Sequence, residues 1–139
     1  VQHFEIVMVL VRLEDVYFLQ LRTGANQSGA LGKIGTFGGE IESGESAIDA
    51  ACRELAEEST LVVDQSRLKF VGELSVNSEK YGKPATVHAM VYEVVITNEH
   101  DIEAREGGLV RLSLEELREQ QSRLSPALKE LVNILEKEK

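Results

Sequence analysis

An α/β sandwich built on a mixed β-sheet is the fold class the sequence predicts, and three observations predict it. Residues 4–13 and 87–96 are apolar at nearly every position, the mark of strands buried on both faces between layers. A helix-forming stretch begins at Ser46, between the early strands and the late ones. Two further helical patterns close the sequence, so helices and sheet share one core. At 139 residues, 42% hydrophobic and 28% charged, the chain has the size and mix of one globular domain, residues 1–139.

In residues 4–13, Ile6, Met8 and Leu10 fall on one face and Val7, Val9 and Val11 on the other. Glu14 and Asp15 mark a tight turn, residues 16–21 return as a second strand, and Arg22 stands where that strand ends. Residues 23–35, rich in Gly, Ser and Asn, read as a loop long enough to be functional. The run Gly35, Thr36, Phe37, Gly38, Gly39 lets backbone approach a ligand closely, because glycine removes side-chain obstruction. Beyond the first helix, residues 61–63 are a short strand candidate, 68–76 a longer strand and 78–84, with Gly82 and Pro84, a turn. Residues 87–96 form a central strand, 97–106 a polar loop and 108–112 a short strand. Ser113 with Glu116 makes a capping box for a helix over 114–121. Ser125 and Pro126 suit the cap and first turn of a last helix, with Leu128, Leu131, Val132 and Leu135 as its apolar stripe.

The stretch from Gly38 to Leu61, GGEIESGESAIDAACRELAEESTL, carries the chemistry. Ser46 with Asp49 three residues later opens a helix, and Ala47, Ala50, Ala51, Leu55 and Ala56 propagate it. Ile48, Ala51, Cys52 and Leu55 fall on one side as the expected buried stripe. Glu54, Glu57 and Glu58, at i, i+3 and i+4, project together, where like charges repel unless something neutralises them. A solvated acidic face explains three glutamates alone. A hard cation is the alternative: Mg²⁺ takes oxygen ligands and is held by a few carboxylates together with substrate phosphates.

The residues around the glutamates decide between these. Gly39, five residues, Glu45, seven residues, then Arg53, Glu54, Leu55, one residue, Glu57, Glu58, one residue, Thr60 and Leu61 closely resemble the Nudix box, which expects Gly where Thr60 stands. Chance agreement in a chain of this length is on the order of 10⁻⁴ or below. A Gly at a helix end adopts a left-handed conformation without a Cβ penalty, so Thr60 predicts either a different helix exit or local strain. The resemblance covers most of the chain and implies a Nudix-like α/β/α sandwich. It implies hydrolysis of a pyrophosphate linkage in a nucleoside diphosphate derivative, with Mg²⁺ (or Mn²⁺) and a water nucleophile. Glu57 and Glu58 would then be metal ligands, the Gly39 carbonyl another, and Glu54 a ligand or the general base. Gly38 would support the site, and Arg53 would be structural, pairing with Glu45. Family members often add an acid from a later loop, for which Glu106 is the candidate and Glu103 its rival. Arg22 and Lys33, flanking the glycine-rich segment, are candidate phosphate binders, with solvated basic residues as the plain alternative.

Within the family, Phe37 before the paired glycines, the Glu57–Glu58–Ser59 ending and Val63–Asp64 look most like MutT-type nucleoside triphosphate pyrophosphohydrolases. The expected reaction is therefore (d)NTP to NMP plus pyrophosphate, as in nucleotide-pool sanitising. Base reading does not carry over: Gly35 stands where those enzymes place an Asn, and the chain has no Trp. Any base stacking falls to one of four Phe and three Tyr. The alternatives are hydrolysis of ADP-ribose, nucleotide sugars or dinucleoside polyphosphates, and a catalytically silent nucleotide-binding module, against which the intact glutamates argue.

Composition limits the partners. A formal net charge of -9 argues against binding a nucleic-acid polymer, which needs a basic footprint. A small nucleotide can still arrive with Mg²⁺, which screens both its phosphates and the glutamates. No apolar run reaches membrane-spanning length, and nothing near Val1 resembles a cleavable signal. A single cysteine, Cys52, cannot form an internal disulfide and lies on the apolar stripe, so packing is its expected role and the cytoplasm the expected compartment. His88 is expected to pack or pair with a polar neighbour, His3 and His100 to be exposed, and a homodimer is left open by the resemblance.

Overall fold

The computed structural model describes residues 1–23 and 32–138. Most of the loop expected over residues 23–35 lies outside the described residues. The elements are β1 (Gln2–Leu13), β2 (Val16–Leu21), β3 (Ile34–Gly35), β4 (Phe37–Glu40), α1 (Ala47–Glu58), β5 (Lys69–Lys80), β6 (Lys83–Val95), β7 (Gly108–Ser113), α2 (Leu114–Glu119) and α3 (Pro126–Lys137). One mixed sheet holds all the strands. β1 is its axis: β6 runs parallel along one edge, while β4 and β2 pair antiparallel with it on successive stretches, Ile6 to Val9 and Val11 to Leu13. β5 completes an antiparallel hairpin with β6, and β7 and β3 pair antiparallel with β2.

The two-faced pattern in β1 creates the layers. Met8 and Leu10 pack with Leu117, Leu128, Leu131 and Val132 of α2 and α3, whereas Val7, Val9 and Val11 pack with Ala50, Ala51 and Leu55 of α1. The expected α/β/α sandwich is what forms. Ser125 caps α3 by accepting from the Leu128 amide, Pro126 occupies the first turn, and the buried stripe is the expected one. Ser113 and Glu116 form the reciprocal box at α2, which ends at Glu119, short of the expected residue 121. No helix among the described residues is long and apolar enough to cross a membrane.

Three expectations are corrected. Residues 61–63 are not a strand: Leu61 is buried in the core on the α1 side of the sheet while Val62 is exposed, and Asp64 then caps a single 3-10 turn at Gln65–Arg67. The turn placed at 78–84 shrinks to Tyr81 and Gly82, both at positive φ (53° and 77°), as a two-residue hairpin of the I′ type requires. Strand pairing continues past Pro84 because it precedes the point, Ala85, where β1 begins to pair. The buried side of α1 is centred on Ala50, Ala51 and Leu55, with Ile48 and Cys52 half-buried at its margin.

Candidate active site

α1 begins where Ser46 accepts the Asp49 amide at 3.2 Å, and its far end carries the glutamates beside β4. Gly38 has φ +151°, and a Cβ there would stand 2.0 Å from the Val7 carbonyl oxygen, so only glycine fits between β1 and α1. A Cβ on Gly39 would lie 2.6 Å from the Glu54 carboxyl carbon. That closeness brings β4 backbone and the Glu54 carboxylate to one place. The Gly38 amide donates to Glu58 Oε1 at 2.8 Å.

Arg53 braces the approach loop. Its Nε and Nη2 donate to Glu45 Oε2 and Oε1 at 2.7 and 2.9 Å, a bidentate pair, and Nη2 also donates to the Glu40 carbonyl at 3.1 Å. Nη1 reaches Glu54 Oε1 at 2.8 Å and Glu57 Oε2 at 3.4 Å. The guanidinium thus offsets the repulsion among the helix acids from one side. It holds the Glu45 carboxyl down to about 2, chiefly through their hydrogen bonds, and its own pKa is raised further by the same partner.

Glu58 is only 6% exposed, and burial pushes its pKa up to about 8 against the opposing Gly38 amide. The neighbouring Glu54 and Glu106 add to the rise and Arg22 opposes it. Glu54 is raised too, by burial first, with Arg53 pulling the other way. These carboxylates and Glu40, Glu57 and Glu106 line a cleft of about 550 Å³. Arg22, Lys80 and Tyr81 also line it. Burial lowers the pKa of both cations; Glu54 and Glu58 act against that at Arg22, as Glu40, Glu54 and Glu58 do at Lys80, where Arg22 adds to the lowering.

The structure therefore gathers Gly38, Gly39, Glu54, Glu57, Glu58, Glu106 and Arg22 around one cleft, with Glu45 and Arg53 behind it. Lys33 is not brought there: its Nζ is exposed and donates to the Ser122 carbonyl at 2.7 Å. Between the rival acids, Glu106 lines the cleft, while Glu103 pairs through its backbone with Thr60. Thr60 does not adopt a positive φ, and Ser59 leaves the helix in an extended conformation, so the strain a left-handed Thr would carry is absent. His88 pairs with Glu5 at 2.6 Å and Glu73 at 3.4 Å on the sheet. Glu40 and Lys80 are cleft residues that sequence reasoning missed, and of the seven aromatic residues open to base stacking Tyr81 lines the cleft. The Tyr81–Gly82 pair between alternating strands was the available signal.

The donor set fits a hard divalent ion. It is all carboxylate and backbone oxygen, and the burial that raises the Glu58 pKa to about 8 is a cost that a bound cation would offset. As they stand, no three acidic, histidine or cysteine side chains among the described residues converge tightly enough to enclose an ion. Glu54 is turned to Arg53 and Glu58 to the Gly38 amide, and a cation has to compete for both.

A family model described as NUDIX domain matches residues 2–133. Among solved structures, the chain is similar to a MutT protein from Methanosarcina mazei Go1, at 21% identity and a TM-score of 0.75, covering 99% of this chain and 95% of that one. It is also similar to a bifunctional NMN adenylyltransferase/ADP ribose pyrophosphatase from Francisella tularensis, complexed with AMP and a manganese ion. There the identity is 20%, the TM-score 0.73 and the coverage 98% of this chain and 42% of that one. A third, an Ap4A hydrolase from C. elegans, has 15% identity and a TM-score of 0.68, covering 96% of this chain and 95% of that one. At these identities the likenesses show the fold. A comparison with curated proteins finds no match by sequence.

Proposed function

The chain belongs to the Nudix family and is a pyrophosphohydrolase, and from that premise we propose that it converts a (deoxy)nucleoside triphosphate to the monophosphate and pyrophosphate with Mg²⁺. The observation that carries the metal assignment is Glu58, a carboxyl 6% exposed that lines the cleft together with Glu54, Glu57 and Glu106, where a cation would offset both its burial and their mutual repulsion. Glu57, Glu58, Glu54 and the Gly39 carbonyl are the ligands in this reading, with Mn²⁺ as a substitute. When bound, the ion withdraws charge from the diphosphate and makes a water easier to deprotonate.

The chain's own groups do the rest. Arg22, with its Nε buried and without a hydrogen-bond partner in the structure, and Lys80 draw the phosphates into the cleft against a chain of net charge -9. Glu106 comes from a separate loop with an exposed side chain, while Glu54 and Glu58 are already engaged, so Glu106 is assigned the proton of the attacking water. The water oxygen bonds to phosphorus as the bond to the departing pyrophosphate breaks. For the base, Phe18 and Phe37 are sealed in the core, and Tyr17 and Tyr92 are 8% exposed. Tyr81, on the hairpin tip with its ring 6.3 Å from Phe4, is the aromatic that reaches the cleft.

A panel of dNTPs, ADP-ribose, a nucleotide sugar and Ap4A, assayed for released phosphate after pyrophosphatase or phosphatase coupling with Mg²⁺ and with EDTA, tests this. The expected result is Mg²⁺-dependent pyrophosphate release, fastest from a dNTP. Faster turnover of Ap4A or ADP-ribose would replace the substrate assignment, and undiminished turnover in EDTA would remove the metal.

A further inference from the structure

We propose that Thr60, the residue that replaces the box glycine, is a positioning residue: it clamps the end of α1 to the loop carrying Glu106 and so sets where that carboxylate enters the cleft. The inference rests on the reading of Glu106 as a participant in hydrolysis.

The clamp is continuous. α1 stops at Glu58, Ser59 turns extended at φ -142°, and the chain then runs antiparallel to the incoming loop through a bridge between Ser59 and Ala104. Thr60 donates its amide to the Glu103 carbonyl at 3.0 Å, and its Oγ1 accepts the Glu103 amide at 2.9 Å. Two residues back, the Glu58 carbonyl accepts the amides of Arg105 at 2.7 Å and Glu106 at 3.3 Å. The last ligand-bearing residue of the helix therefore holds the backbone of Glu106 directly. On the other side Gln20, fully buried, donates Nε2 to the Glu106 carbonyl at 3.0 Å. Gly107 turns the chain at φ +69°, where a Cβ would stand 2.1 Å from the Leu21 carbonyl oxygen.

Glu106 is thus fixed from both flanks, and on the helix flank the only side chain in these bonds is the Thr60 hydroxyl. A β-branched residue suits the extended exit, and glycine there would supply neither the stiffness nor the acceptor. Because Thr60 is exposed, water can replace its hydroxyl on the Glu103 amide. A merely structural role would leave turnover almost unchanged when the hydroxyl is removed.

The test uses the full chain with Thr60→Gly, Thr60→Val and Thr60→Ser, each also combined with Glu106→Gln, on the fastest substrate of the panel above. Restoring the family's glycine, or substituting valine, is expected to lower kcat by about 3- to 10-fold, the range one hydrogen bond spans. KM should move by less than about twofold, and serine should retain wild-type kcat. With Glu106→Gln present, all three Thr60 variants should match the Glu106→Gln single variant, since nothing remains to be aimed. Amide hydrogen exchange at Arg105 and Glu106 should quicken in the glycine and valine variants and not in the serine one. Wild-type kcat in Thr60→Gly, or the same fractional loss with and without Glu106→Gln, overturns the clamp. Wild-type turnover in Glu106→Gln alone overturns the role of Glu106 and the clamp with it.

Discussion

Replacing Glu58 by Gln should stabilise the metal-free protein while abolishing hydrolysis, and the gain should grow with pH. The glutamine keeps the shape and can still accept the Gly38 amide, now at 2.8 Å from Glu58 Oε1, but carries no charge. Burial lifts the Glu58 pKa from 4.5 to about 8 in the folded chain. The native state therefore binds more protons than the unfolded state between those values, and wild-type stability falls as pH rises through that window. Integrating the two titrations puts the variant ahead by about 1 kcal/mol at pH 5, about 3 at pH 7 and about 4 to 5 above pH 9. At about 3 °C per kcal/mol for a domain of this size, the gap in Tm is about 10 °C at pH 7. Thermal melts of both proteins in EDTA at pH 5, 7 and 9 measure it. A gap that does not widen with pH, or a variant that melts below wild type at pH 9, refutes the argument that the carboxyl is buried at a cost. Adding MgCl₂ should then raise the wild-type Tm and leave the variant's in place.

Arg53→Lys loses the two-pronged grip on Glu45 and the bond to the Glu40 carbonyl, so kcat should fall at least about tenfold and Tm should drop. Since Arg53 holds Glu45 down to about 2, the stability it confers is present above about 4.5 and lost as pH falls towards 2. The Tm gap between this variant and wild type should close over that range, as followed by circular dichroism. Gly35→Ala places a Cβ 3.0 Å from Arg22 Nε and 3.5 Å from Ser125 Oγ. Steady-state kinetics should show KM raised by about tenfold, the loss of one charge-assisted contact, with Tm almost unmoved. Gly38→Ala meets the Val7 carbonyl oxygen at 2.0 Å and should cost more than about 3 kcal/mol in urea unfolding. Glu57→Gln removes only charge from a side chain 56% exposed, so kcat should fall by orders of magnitude with an unchanged melt.

The glutamates, Arg53 with Glu45, and the last helix could be read from the sequence because each is local: side-chain spacing on one helix, or a cap and stripe within one segment. The alternation in β1 likewise told which residues face which layer. What escaped depends on non-local neighbours. Lys80 and Tyr81 reach the cleft because β5 continues to Lys80, and nothing in residues 78–80 announces pairing until Lys83 to Ala85 lie opposite them. Lys33 sits close to the glycine-rich run in sequence, yet its side chain is taken by Ser122, far along the chain. Leu61 and Val63 looked like strand residues, but their apolar character serves the core on the α1 side of the sheet. Arg22 against Glu103 and Glu106 shows the same divide. Its place follows from where β2 ends, whereas choosing between the two acids needed the pairing of Ser59 with Ala104.

The parallel ladder between β1 and β6 joins Gln2 to Ala85 and Arg12 to Val95. On a ribosome, the whole acidic helix emerges long before the strand that completes its floor, and closing so wide a loop is entropically slow. Until β6 arrives, one edge of β1 is open along nearly its whole length as a template for another chain. An excised peptide carrying every metal-binding glutamate would for the same reason be inert, and the emerging protein should be most prone to misassociation during that interval.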